Sequence, residues 1–252
     1  MSGHSKWSQI KRQKGVADAK RGQAFTKLAK ILTVAAKRGG GDPTMNPALR
    51  MAVEQARFQN MPKDNIERAI KRGTGEGSEA AIEELRFEAY GPGGVGILIE
   101  AATDNHLRTN AEIKAVLNKL NGKLATPGAV AFQFKEQGSL FVPIRDQPSG
   151  HDEIELAIIE TGATSYEDQG EAFQVVTEPK DVSQVKEQLE GYGFRLTDTK
   201  IAWEPTQTLP ITDPATAKQV LRLLAALEDL EDVTAVTANF DISDEVLALV
   251  SA

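Results

Sequence analysis

The chain has 252 residues, 40% of them hydrophobic and 26% charged, with no cysteine and a formal net charge of −7. That composition supports an ordinary core divided among two or three domains, and it excludes disulfides and thiolate chemistry. The three histidines, His4, His106 and His151, lie far apart without ligand spacing, which argues against a histidine metal site.

The charge is unevenly placed. Residues 1–40 hold ten Lys or Arg and one acid, Asp18, for a net charge of +9. The basic residues are Lys6, Lys11, Arg12, Lys14, Lys20, Arg21, Lys27, Lys30, Lys37 and Arg38. Residues 1–80 carry 16 basic and 7 acidic residues; residues 81–252 carry 13 and 29, for a net charge of −16. The switch falls at Gly73-Thr74-Gly75-Glu76-Gly77-Ser78, which reads as a flexible linker. A one-signed basic block in an acidic protein points to a polyanion, because each phosphate neutralised by Lys or Arg releases condensed counterions. Trp7 lies inside the block, where it stacks on a base or packs on a helix.

The N-terminus is charged where a signal peptide needs an apolar core. The longest aliphatic run, Val95 to Ile99, is far too short to span a bilayer. The basic block merges into a patterned helix, unlike a transit peptide. A cytoplasmic protein without membrane contact is expected.

In chain order, residues 20–38 form an amphipathic helix. Phe25, Leu28, Ala29, Leu32 and Ala36 share one face, and Lys20, Lys27, Lys30, Lys37 and Arg38 the other. Val34 intrudes on the basic face beside Ile31. Gly39-Gly40-Gly41 ends this helix. Asn46 caps a second, with Pro47 at its first position and Leu49, Ala52, Val53 and Ala56 inward. Pro62 opens a third, with Ile66, Ala69 and Ile70 inward and Gly73 closing it.

The body begins with a hairpin, Leu85–Tyr90 and Val95–Ala102, turned by Gly91-Pro92-Gly93-Gly94. These glycines lack the Gly-Lys-Ser/Thr ending and following helix of a phosphate loop. Residues 107–120 read as a helix and Ala129–Phe134 as a strand. Residues 139–204 then give strand Leu140–Ile144, helix 152–161, hairpin Ser165–Asp168 with Ala172–Thr177, helix 181–190 and strand Arg195–Trp203. This β-α-β-β-α-β order is ferredoxin-like. A helix capped by Asp213, a strand Val233–Ile242 and a short helix from Ser243 finish the chain. Residues 81–135 and 208–252 each lack enough elements to close a core, so together they make one discontinuous α/β domain. Residues 136–207 are the insertion.

Enzyme signatures are absent: there is no Gly-x-Ser-x-Gly, no His-Glu-x-x-His and no cysteine nucleophile. No catalytic residue, cofactor or metal is expected. The carboxylates Glu228-Asp229 and Glu231-Asp232 read as solvated charge at a helix end. Thr103-Asp104-Asn105 with Arg108 reads as a helix cap rather than a binding loop.

Several strings carry a resemblance. They are Gly3-His4-Ser5-Lys6-Trp7, Arg21-Gly22-Gln23-Ala24-Phe25-Thr26-Lys27-Leu28, Asn60-Met61-Pro62-Lys63-Asp64-Asn65-Ile66 and Tyr90-Gly91-Pro92-Gly93-Gly94-Val95. With Thr103-Asp104-Asn105 and Arg108-Thr109, they make the chain resemble the YebC/PmpR family over nearly its whole length. Leu124 to Gly128 and His106-Leu107 depart from the family pattern. The resemblance implies an α+β protein of three domains: a basic helical bundle (1–80), a discontinuous α/β domain (81–135 and 208–252) and an inserted ferredoxin-like α/β domain (136–207). It also implies a transcriptional regulatory protein that binds DNA, or alternatively a ribosome-associated translation factor on structured RNA. The expected contacts are the ten basic residues named above together with Trp7, and the acidic body is left to bind protein or position the head.

Overall fold

The computed structural model describes residues 18–76 and 81–251, with the side chains of residues 18–21, 244 and 251 outside the description. The protein mixes helices with antiparallel sheets and one small parallel pair, an α+β fold.

Three helices form the head: α1 (Asp18–Gly39), α2 (Pro47–Phe58) and α3 (Lys63–Thr74). Leu28, Leu32, Leu49, Val53, Ala56 and Ile66 are buried between them, as the 3.6-residue spacing of these side chains requires. Asn46 joins two helices at once. Its Oδ1 accepts from the Leu49 amide at 3.1 Å, capping α2, while its Nδ2 donates to the carbonyls of Ala35 and Gly40, each at 2.8 Å, at the end of α1. Gly73 does not close α3, as expected from sequence, but lies within it; Gly75, at φ +81°, provides the left-handed stop. Gly73 faces α1 so closely that a Cβ there would stand 2.3 Å from the Thr33 carbonyl oxygen.

Strands β1 (Glu83–Tyr90) and β2 (Gly96–Thr103) pair antiparallel from Glu83 opposite Thr103 to Tyr90 opposite Gly96. Helix α4 (His106–Lys119) and a two-residue strand, β3 (Lys123–Leu124), follow. The chain then enters β4 (Phe134–Pro143), α5 (His151–Glu160), β5 (Ser165–Asp168), β6 (Ala172–Thr177), α6 (Val182–Gly191) and β7 (Asp198–Pro205). Their strand order, β5-β6-β4-β7, is that of a ferredoxin-like sheet. Leu140, Val142, Phe173 and Val175 from its strands bury Ile154, Ile158, Val185 and Leu189 from its helices. Phe134–Glu204 is one compact unit, and the described residues on either side of it form the other.

The chain continues as β8 (Leu209–Ile211), α7 (Pro214–Glu228), β9 (Val233–Ala238), β10 (Phe240–Ile242) and α8 (Asp244–Ser251). The sheet order is β3-β1-β2-β9, with β8 and β10 paired apart from it. Ile97, Ile99, Val236 and Ala238 share one sheet face and pack against Ile113 and Leu117 of α4 and Val220, Leu224 and Leu227 of α7. The other face carries Glu84, Arg86 and Glu88 of β1 opposite Ala102, Glu100 and Leu98 of β2. Helix α1 contacts β2 and β9, so β2 has cover on both sides. This explains its nearly unbroken apolar run, Ile97 to Ile99 and Ala101 to Ala102.

Two expectations are corrected. Ala129–Phe134 is not a strand: residues Ala131–Gln133 form a 3-10 turn, and the strand starts at Phe134. The cause is Glu88, whose carboxylate accepts from the amides of Gly128 (2.6 Å), Val130 (2.5 Å) and Ala131 (2.8 Å) and so draws them away from any ladder. Burial pushes the Glu88 carboxyl up, but these three amides outweigh it and hold it below its ordinary value. Second, the strand expected over 233–242 breaks at Asn239. Its Oδ1 accepts from the Gly96 amide at 2.7 Å and its amide donates to the Gly96 carbonyl at 3.0 Å, which sends Phe240–Ile242 to β8.

The Glu88→Gln variant loses the charged acceptor and is expected to cost about 2 kcal/mol, within the range for hydrogen bonds to a charged group. Amide exchange at Gly128, Val130 and Ala131 should quicken while that of Leu98 does not. Unchanged exchange at all three amides would show that the carboxylate is not their anchor.

Candidate nucleic-acid interface

The basic block is expected to turn one face of α1 toward phosphates. Lys6, Trp7, Lys11, Arg12 and Lys14 lie outside the described residues, and the side chains of Lys20 and Arg21 are likewise not described. The remaining four predicted contacts are described, and every one of them is engaged by the acidic domain. The Lys27 ammonium donates to the Glu228 carbonyl at the end of α7. Lys30 donates to Asp232 Oδ1 at 2.5 Å and to the Glu231 carbonyl at 3.1 Å. Lys37 donates to the Ile82 carbonyl at 2.9 Å. Arg38 forms a two-point ion pair with Glu84, its Nε 2.7 Å from Oε1.

The acids read from sequence as solvated charge therefore include a buried one. Asp232 is 2% exposed and is the hub of the contact. Besides Lys30, it accepts from Thr109 Oγ1 at 2.6 Å, from Thr103 Oγ1 at 3.1 Å and from Arg108 Nη2 at 3.0 Å. Its backbone carbonyl takes the Ala102 amide at 2.8 Å, fixing the turn before β9 against β2. Burial alone would raise the Asp232 carboxyl. The donors from Lys30, Thr109 and Arg108 overcome that and hold it far below the usual carboxylate range.

The Thr103-Asp104-Asn105 turn supplies the rest of this wall. Asn105 caps α4, its Oδ1 accepting from the Arg108 amide at 3.1 Å, and Thr103 Oγ1 accepts from the Asn105 amide at 2.9 Å. Asp104 sits between two arginines, 3.1 Å from Arg108 and 3.7 Å from Arg72 of α3. Arg108, paired with both Asp232 and Asp104, is held more firmly protonated than an ordinary guanidinium. Between α1, α3 and this turn lies a cleft of about 560 Å³, floored by Phe25 and Met61 and rimmed by Arg68, Arg72 and Arg108.

Lys37 and Arg38 stay exposed despite these contacts, as does Lys63, which pairs with Glu67 at 3.4 Å, and the described head has further outward cations. Arg57 at the end of α2, and Arg68 and Lys71 one turn apart on α3, are exposed. Sequence periodicity does not single them out, because they are scattered among Asp64, Glu67 and Asn65 instead of forming a run. Elsewhere, His151, Asp152 and Glu155 bring three ligand-type atoms within 4.8 Å of one another, but His151 and Asp152 are exposed, Glu155 is half-buried, and His151 is turned to Asp168 at 2.9 Å. No helix among the described residues is long and apolar enough to cross a membrane.

Two family models match this chain, one described as the TACO1/YebC protein N-terminal domain over residues 5–76 and the other as the TACO1/YebC second and third domain over residues 82–240. The chain belongs to the TACO1/YebC family. A relative from Rubrobacter xylanophilus is 48% identical over 252 residues, covering all of both chains, and one from Halothermothrix orenii is 46% identical over 98% of each. Both are named "Probable transcriptional regulatory protein". The crystal structure of a conserved hypothetical protein from Aquifex aeolicus superposes with a TM-score of 0.83 at 42% identity, covering 91% of this chain and 94% of that one. Among TACO1/YebC proteins, then, this chain is similar along its whole length, head and body together.

Proposed function

We propose that this TACO1/YebC protein regulates gene expression by binding nucleic acid through the phosphate backbone, without catalysing a reaction. The carrying observation is the charge division: +9 over residues 1–80 against −16 over the rest. The acidic domain repels a polyanion and already holds Lys27, Lys30, Lys37 and Arg38. Contacts with nucleic acid therefore fall on Lys6, Trp7, Lys11, Arg12, Lys14, Lys20 and Arg21, extended by exposed Arg57, Arg68 and Lys71. The names of the relatives support a regulator of expression.

Lys27 and Lys30, in the middle of the basic face of α1, are turned to the acidic domain, so that face is not presented whole to a major groove. This favours recognition of backbone and shape over base edges. Structured RNA is read in that way, which keeps a ribosome-associated role as the second reading.

The test is equilibrium binding against salt concentration. Replacing Lys6, Lys11, Arg12 and Lys14 by Ala should weaken binding evenly across sequences. It should also flatten the slope by about 0.9 for each duplex phosphate that is no longer neutralised. Replacing Lys37 and Arg38 should leave the slope near that of the unaltered protein. The opposite ranking would place the interface at the C-terminal end of α1 and reject this assignment. In-cell crosslinking then separates the two readings, promoter DNA fragments supporting transcription and discrete ribosomal RNA positions supporting translation.

A further inference from the structure

The ferredoxin-like unit carries a face that nothing else in that unit covers. Over residues 134–204 it has 15 acidic and 6 basic residues, a net charge of −9. Helix α5 buries Ile154, Ala157 and Ile158 against its own sheet, yet Leu156 is 61% and Ile159 54% exposed. At about 100° per residue, Asp152, Glu155, Leu156, Ile159 and Glu160 form the outward stripe, with the two aliphatic side chains near its centre. Glu155 flanks them on one side and Glu160 on the other.

A tyrosine reaches each flank. Tyr166 of β5 donates its hydroxyl to Glu155 Oε1 at 2.7 Å, and Tyr192, just after α6, donates to Glu160 Oε2 at 2.8 Å. These bonds fix the carboxylates beside the apolar pair and leave both rings partly exposed. Each carboxylate accepts only one such bond, so lone pairs remain for a cation.

From this arrangement we infer a docking surface for a lysine- or arginine-rich polypeptide segment that bears an aliphatic or aromatic anchor. The anchor lies over Leu156 and Ile159, and flanking cations meet Glu155 and Glu160. Charge complementarity selects this occupant: a unit of net charge −9 disfavours nucleic acid and acidic protein alike. Partly exposed tyrosines are among the residues enriched at interfaces and their hot spots. The patch is one helix stripe wide, which suits a short segment and a transient complex rather than an obligate one.

The test uses the full chain and two fluorescein-labelled synthetic peptides. One is lysine-rich with a leucine at every helical turn; the other has the same charge with serine in place of leucine. The leucine peptide should bind about tenfold more tightly, the difference expected for burying one such side chain. The Leu156→Ser/Ile159→Ser double variant should erase that difference. Glu155→Lys/Glu160→Lys should abolish binding of both peptides, and Tyr166→Phe should change little. Far-UV circular dichroism checks that each variant is folded. Equal binding of both peptides, or full binding by the serine double variant, overturns the inference. So does concentration-dependent self-association of the unaltered chain that the serine double variant abolishes, since the occupant would then be a second copy.

Discussion

Asp232→Asn is expected to loosen the head from the acidic domain at a cost of about 3 kcal/mol, the lower end for removing one partner of a buried ion pair. The lower end applies because Arg108 is half exposed and regains water, whereas Lys30, at 12%, does not. Asn keeps the shape and one acceptor, so Thr103 or Thr109 retains a partner; the loss falls on the two cations. Amide exchange along α1 should quicken and the thermal transition should broaden or split. Glu231→Gln is the matched control, because Glu231 is 71% exposed and 4.0 Å from Lys30, where an ion pair contributes less than about 1 kcal/mol. If both variants behave alike, Asp232 is not the hub.

The pH dependence carries the same signature. The folded-state pKa of Asp232 is depressed, so its contribution is fully present above the unfolded carboxylate value of about 3.9 and is lost as pH falls through the folded value. The Asp232 contribution to docking is therefore constant through neutral pH and is lost only in acid, and Asp232→Asn removes that acid-labile part. Under the proposed function, the variant also frees Lys30 for phosphate, which steepens the salt dependence of nucleic-acid binding.

Gly73→Ala should be at least as damaging. The added methyl would lie 2.3 Å from the Thr33 carbonyl oxygen, 2.7 Å from Ala36 Cβ and 3.1 Å from the Lys37 amide nitrogen. Two of these are backbone atoms of α1, so no rotamer change relieves them and the two helices must separate. Overpacking costs about 1–3 kcal/mol and sometimes more; a clash with backbone belongs at or above the top of that range. The higher helix propensity of alanine returns only about 1 kcal/mol. Chemical denaturation followed by circular dichroism should show the head unfolding first. Gly22→Ala, in α1 with nothing near its Cβ position, should instead be neutral or mildly stabilising. A Gly73→Ala protein as stable as the parent would mean that α1 and α3 do not approach this closely.

Much of the fold is legible in the sequence because local chemistry and burial agree. Asn46-Pro47 announces α2, and Asp213-Pro214 announces α7 with Asp213 accepting from the Ala215 and Thr216 amides. The hairpin Ser165–Asp168 with Ala172–Thr177 also lies where alternation places it. What escapes a sequence reading depends on side chains distant along the chain. Glu88 reshapes a segment 40 residues away, Asn239 breaks a strand by pairing with Gly96, and strands as short as Lys123–Leu124 and Leu209–Ile211 show no period at all. The candidate interface is legible as charge but not as geometry. A helical wheel shows that Lys27, Lys30, Lys37 and Arg38 share a face; it cannot show that a carbonyl and a carboxylate some 200 residues later in the chain meet two of them.

The excursion into the ferredoxin-like unit leaves after Gln133 and returns at Thr206, whose amide and hydroxyl both bind the Gln133 carbonyl, at 2.8 and 2.9 Å. The two strands of chain at this neck are thus stapled by the host itself. Closure entropy grows only slowly with loop length, by about 0.6 kcal/mol for each doubling. The host consequently tolerates changes to the cassette in size or sequence, and bridging the neck with a few glycines should leave a foldable protein. Surface chemistry on the cassette can diverge without renegotiating the arrangement that fastens the basic helices to their acidic sheet.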